Sequence, residues 1–148
     1  MGTGIRLNLT GFDDLLKKIE KADGDIQKAS EQCIKQSAEI MQTELKSAMH
    51  SAGGGVDEDL INRMPNYTIE SNAAKVTARV GYKATSYNPN NLSDYFKAMF
   101  AQYGTPHRKK HGQESARNFI TKAKKAAKPK IKAQQQKTLN EILKDLTK

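Results

Sequence analysis

Between Asp25 and Ala48 the residues Ile26, Ala29, Cys33, Ser37, Ile40, Met41, Leu45 and Ala48 recur at helical spacing, with no proline or glycine among them. A helix of about 24 residues reaches roughly 36 Å at 1.5 Å per residue. This run predicts the backbone of the fold, against which the other elements must be arranged. Its opposite face carries Lys28, Glu31, Lys35, Glu39 and Glu44, an ordinary solvated face.

The flanking segments are shorter. Residues 5–9 alternate, with Ile5, Leu7 and Leu9 on one side, the period-two pattern of a half-buried strand. Thr10-Gly11 ends it, and Phe12, Leu15, Leu16 and Ile19 resume helical spacing behind a cap supplied by Asp13 or Thr10. Residues 51–59, SAGGGVDED, predict a mobile loop. Carboxylates follow its glycines where a phosphate would need positive charge, so it is no phosphate-binding loop. Residues 67–71 and 75–82 alternate around Asn72-Ala73-Ala74 and predict a hairpin with Val76, Ala78 and Val80 on one face. Residues 93–100 predict a short helix that turns into a strand over 99–103. After a loop over 106–114, a final helix is expected from near Ser115, with Phe119, Ile120, Ala123 and Ala127 on its buried side. Pro129 cannot donate a backbone hydrogen bond and disfavours helical geometry at Lys128, so a kink or break is expected there. Beyond it Leu139, Ile142, Leu143 and Leu146 form a stripe that either packs back on the long helix or is offered to a partner.

These segments predict an α+β fold. A small antiparallel sheet, made of the N-terminal strand, the hairpin and the aromatic strand, packs on the long helix, followed by a kinked C-terminal helical region. Residues 1–128 read as one domain and 129–148 as an amphipathic helix, either folded back on it or partner-dependent. With 36% hydrophobic residues, 6% aromatic and no Trp, the core is thin for 148 residues. No run approaches the ~18 apolar residues of a membrane span, and MGTGIRLNLTGF lacks the pattern of a signal peptide. The expected location is therefore the cytoplasm. Cys33 stands alone, which excludes an internal disulfide and a multi-cysteine metal site and suggests a small apolar side chain on a buried helix face.

The net charge of +9 is unevenly placed. Residues 1–60 hold 7 Lys/Arg against 11 Asp/Glu, a net of −4, and residues 61–148 hold 18 against 5, a net of +13. Residues 106–137 alone carry 11 basic residues against Glu114. Such a field calls for an anionic neighbour: nucleic acid, an acidic protein surface or the acidic half of another copy. Arg108, Lys109, Lys110, Arg117, Lys122, Lys124, Lys125, Lys128, Lys130 and Lys132 are the candidates for phosphate contact. Lysine dominates among them and has no fixed fork for reading base edges, so any DNA binding should be independent of sequence. Catalysis finds no footing. His107 and His111 lie four apart but beside Arg108, Lys109 and Lys110, which repel a cation, and the paired carboxylates sit at a helix start and in a loop. No catalytic residue, metal site or cofactor is expected.

One stretch resembles a known family. Residues 95–127, YFKAMFAQYGTPHRKKHGQESARNFITKAKKAA, place Phe100, Gln102, Tyr103, Gly104 and Thr105 ahead of a loop and then Ala116, Arg117, Asn118 and Phe119. This order is similar to that of the tail-completion or head-to-tail joining (neck) proteins of long-tailed phages. There an aromatic strand ends in a polar or acidic residue, an aromatic and Gly-Thr, and Arg-Pro-Phe opens the last helix. Here Gln102 stands where the family usually has a carboxylate, and Asn118 where it has proline. The opening LTGFDDLL at 9–16 is similar too, and the joint order covers residues 5–127.

The resemblance implies a non-enzymatic α+β protein with a small sheet against a long helix. It implies assembly as a homo-oligomeric ring or plug at the head–tail interface, touching tail-tube, terminator or connector proteins, first in the host cytoplasm and then in the virion. It also implies that Gly104 and Thr105 form a tight turn after the central strand and that Phe119 anchors the last helix. The candidate partner contacts are Arg108, Lys109, Lys110, Lys122, Lys124, Lys125 and Lys128. The alternative is a DNA-binding accessory protein that uses the basic region 106–132.

Overall fold

The computed structural model describes residues 4–9, 11–52, 56–72, 75–104 and 118–148. Along the chain run β1 (Ile5–Asn8), α1 (Asp13–Lys21), α2 (Ile26–Ala52), α3 (Glu58–Asn62), β2 (Thr68–Asn72), β3 (Lys75–Val80), α4 (Asp94–Tyr103) and α5 (Phe119–Leu146). The fold is α+β, with a three-stranded antiparallel sheet of order β1-β3-β2 against the long helix α2.

The alternation in β3 decides its place. Val76, Ala78 and Val80 are buried and join Ile34, Ala38, Met41, Leu45 and Met49 of α2 in the main core. β1 pairs Ile5 with Val80 and Leu7 with Ala78, and β2 pairs Ile69 with Ala78 and Asn72 with Lys75. Every residue of β2 is exposed, as fits a strand at the sheet's rim.

α2 starts at Ile26, where Asp25 Oδ1 accepts the Lys28 N–H at 3.1 Å, and runs 27 residues. α5 lies along it, and the seam between them is partly polar. Gln135 Nε2 donates to Ser37 Oγ at 2.8 Å, Ser37 Oγ donates to Cys33 O at 2.8 Å, and Thr138 Oγ1 donates to Gln36 Oε1. Ser37, Gln135 and Thr138 are buried, so sliding either helix by a turn would strand these groups without partners. A second apolar cluster of Ile19, Ala29, Cys33 and Leu139 sits where α1 and α5 meet α2. The C-terminal stripe thus packs back on the long helix through Leu139.

The α1–α2 corner explains how α5 reaches so far. Gly24 N–H bonds Ile19 O at 2.8 Å and Asp23 N–H bonds Glu20 O at 3.0 Å, with Asp23 left-handed at φ 62°, a Schellman ending. A Cβ on Gly24 would lie 2.5 Å from both Ile19 Cγ2 and Leu146 Cδ1. Only glycine lets the end of α5 close against this corner.

Five sequence expectations need correction. The aromatic strand over 99–103 does not exist: α4 is helical from Asp94 to Tyr103. Phe96, Phe100 and Tyr103 sit at helical spacing, and Ala98, Ala101 and Gln102 form the buried side, so burial favours the helix over a fourth strand. Residues 51–59 are not one loop. Ser51 and Ala52 belong to α2, and Asp57 Oδ1 caps α3 by accepting the Leu60 N–H at 2.6 Å, which buries Leu60 and Ile61. The first helix is not capped by Asp13, which sits inside it; Phe12 holds the cap position without a side-chain bond, and Thr10 lies outside the described residues. The last helix begins at Phe119 instead of near Ser115, because Asn118 is left-handed at φ 52°. Finally, α5 is not broken at Pro129 but continues through it for 28 residues. Proline removes the donor that Lys125 O would use, but both residues are exposed, so solvent can satisfy that carbonyl. Burial of Ala123 and Ala127 on one side of Pro129, and of Gln135, Thr138 and Leu139 on the other, outweighs the ~3 kcal/mol proline cost.

Candidate partner-binding face

The basic residues of α5 are aimed by the way the helix is anchored. α4 ends at Gly104, whose φ of 79° suits glycine and whose N–H bonds Phe100 O at 2.7 Å. Just before that ending, Gln102 is buried at 2% exposure and turns towards the start of α5. Its side-chain Oε1 accepts the Ile120 N–H at 2.7 Å, and its backbone carbonyl accepts the Asn118 N–H at 3.2 Å. Asn118 makes no side-chain cap of its own. A residue of α4 thus does for α5 what an N-cap side chain normally does, satisfying orphan donors in the first turn. Phe119, 1% exposed, fixes the other side of the junction in the core. The tight turn after a central strand that the resemblance implies at Gly104 is instead the C-terminal end of a helix, and Phe119 is the first residue of α5. Thr105 lies outside the described residues.

From this anchor Lys122, Lys124, Lys125 and Lys128 all emerge exposed along the first half of α5. They do not form one site. Lys124 and Lys128 are four apart and share a stripe with Ile131, Lys132 and Gln135. That stripe forms one wall of a groove of about 850 Å³ whose other walls are β1 and α1. Lys122 and Lys125 do not line it. Lys130 is turned away, paired with Glu44 of α2. Arg108, Lys109 and Lys110 lie outside the described residues, as do His107, His111 and Arg117.

The groove is two-toned. Ile5, Leu7, Phe12, Leu15, Met41 and Ile131 give it an apolar lining. Arg6, Lys18, Lys124, Lys128 and Lys132 ring it with positive charge, against Asp14 alone. Close like charges held by separate elements repel one another, so the rim favours an anionic occupant. Sequence reasoning missed Arg6 and Lys18. Both lie in the half of the chain with net negative charge. No one-dimensional signal could have found them, since only the fold brings β1 and α1 beside α5.

Among the described residues the groove's lining contains no His, Cys, Ser, Thr or Tyr. Among the described residues no three His, Cys, Asp or Glu side chains stand together as a metal group, and no helix is long and apolar enough to cross a membrane. His50 lies 3.8 Å from Glu58 at the exposed end of α2. Cys33, fully buried, has its thiol pushed up from 9.0 to about 11 by desolvation, which leaves little nucleophilic thiolate. Compared with protein-family models, with curated proteins and with solved structures, the chain finds no match.

Proposed function

We propose that this chain is a non-enzymatic assembly protein that joins tail and neck components at the head–tail interface or tail end of a long-tailed phage, as one copy in a ring. The observation that carries the assembly reading is the groove between β1, α1 and α5: an apolar floor inside a cationic rim suits a segment of another protein. The phage setting comes from the resemblance of residues 5–127, and the Gln102–Gly104–Phe119 junction gives the quoted motif a fold-forming purpose. Light scattering across a salt series, with and without tail-tube, terminator and connector proteins, is the test. Salt-sensitive oligomers or co-assembly are expected; a strict monomer that binds none of these proteins would sink the reading.

Sequence-independent DNA binding is the second reading, favoured by the exposed lysines that α5 carries outside the groove, Lys122 and Lys125. It ranks lower because phosphates drawn into the groove would lie over Ile5, Leu7 and Ile131, which cannot replace their hydration. Indifference to duplex DNA at physiological salt eliminates it.

A further inference from the structure

We infer that the groove receives an extended acidic segment of a partner protein, which adds as a strand to the outer edge of β1. The identity of the occupant as a protein rests on the assembly reading above; the mode of binding rests on the sheet. β1 lies at the end of the order β1-β3-β2, so its backbone is paired on one side only, Ile5 to Asn8 against Val80 to Thr77. Among the described residues these four make no other backbone hydrogen bond. All four line the groove, and α5 forms its facing wall. An unpaired strand edge beside an open trough is the geometry used when an extended peptide augments a sheet.

The lining says what that peptide must look like. Four residues of β1 run about 13 Å, enough to pair with four or five residues of an added strand. Successive side chains of such a strand point to opposite faces. The set on the core face meets Leu7 and the α5 stripe at Ile131 and must be apolar; the set on the opposite face lies beside Arg6 and must be acidic, and acids at the ends of the segment meet Lys124 and Lys128 at the rim of the same stripe. A second copy docking edge to edge through β1 would bring no acid to the groove, since β1 carries Arg6 and no carboxylate. This chain's own acidic run, Asp57 to Asp59, is committed to α3, with Asp57 as its cap. That leaves a different chain as the occupant we infer.

The experiment uses the full chain and short synthetic peptides in which Val or Ile alternates with Glu or Asp. Alternating peptide should bind with an affinity that falls as salt rises and should slow amide exchange within residues 5–8. N-methylation of alternate peptide residues should weaken binding at least about tenfold in one phase and little in the other, because only one set of amides faces β1. Lys124→Glu with Lys128→Glu should cost a similar factor; both side chains are exposed, so the variant folds. Equal binding by a peptide of the same composition with its acids and apolars in separate blocks overturns the proposal. So does indifference to both methylation phases, or displacement of the peptide by duplex DNA with no change at residues 5–8. If the alternating peptide fails while the chain still co-assembles with tail proteins, this inference falls alone. If the peptide binds but no tail or neck protein is joined, the assembly reading falls and the strand-addition site remains.

Discussion

Gln102 shows how much one side chain can decide. Its Oε1 holds the Ile120 N–H and its carbonyl holds Asn118, in a place almost closed to solvent. Replacing it with alanine leaves a buried donor unsatisfied and opens a small void, which costs about 1–3 kcal/mol. Gln102→Glu keeps an acceptor and sets a negative charge at the positive end of a 28-residue helix, so it should lose less. Denaturant unfolding of both variants checks this; equal losses for alanine and glutamate would show that the bond to Ile120 is not what matters. Asn118 complements it. At φ 52° it occupies a conformation that proline, fixed near −65°, cannot reach, so proline at this position would force a different entry into α5. Chain order alone placed Gln102 in a motif, but the role of its amide depends on Ile120, 18 residues away.

At the scale of elements, α5 departs furthest from its sequence signals. A proline near its middle predicts a kink or a break, and no break occurs, because both halves from Phe119 to Leu146 are pinned to the body of the molecule. The first half is pinned by Phe119, Ala123 and Ala127, the second by Gln135, Thr138 and Leu139. Pro129→Ala should therefore raise stability by about 1–2 kcal/mol, the restored helical bond and relieved clash being partly offset by a more flexible unfolded chain. A thermal melt that moves down would show that a proline bend is needed to seat the second half. The aromatic segment failed for a related reason. Short apolar runs fit strand and helix alike, and α4 is settled by the tight burial of Ala98 and Ala101, which a sequence pattern does not record. α2, by contrast, was plain from its periodicity, as was the hairpin, because long periodic runs leave one face only to bury.

Two buried acids couple the whole molecule to alkaline pH. Cys33 is raised to about 11 by desolvation, and Tyr82, whose hydroxyl donates to Leu60 O, is raised by desolvation and then by the nearby Asp94 charge. Both groups are held neutral in the fold, so their contribution is complete below their unfolded values. It is lost as pH rises, because the unfolded chain ionises first. For Cys33 the window runs from 9.0 to about 11 and is worth up to about 3 kcal/mol. Unfolding free energies across this range should fall, and the Cys33→Ala variant should show a shallower slope; an unchanged slope would assign the effect elsewhere. What the sequence by itself determined is the set of strong periodic elements, the fold class they imply, and the concentration of positive charge in the second half of the chain. Each of these follows from the local spacing and chemistry of neighbouring residues. Only the tertiary structure decided that Gln102 caps α5, that Pro129 is carried inside an unbroken helix, and that Arg6 and Lys18 join Lys124, Lys128 and Lys132 around one groove. Those outcomes depend on contacts between residues far apart in the chain, where packing outweighs local preference.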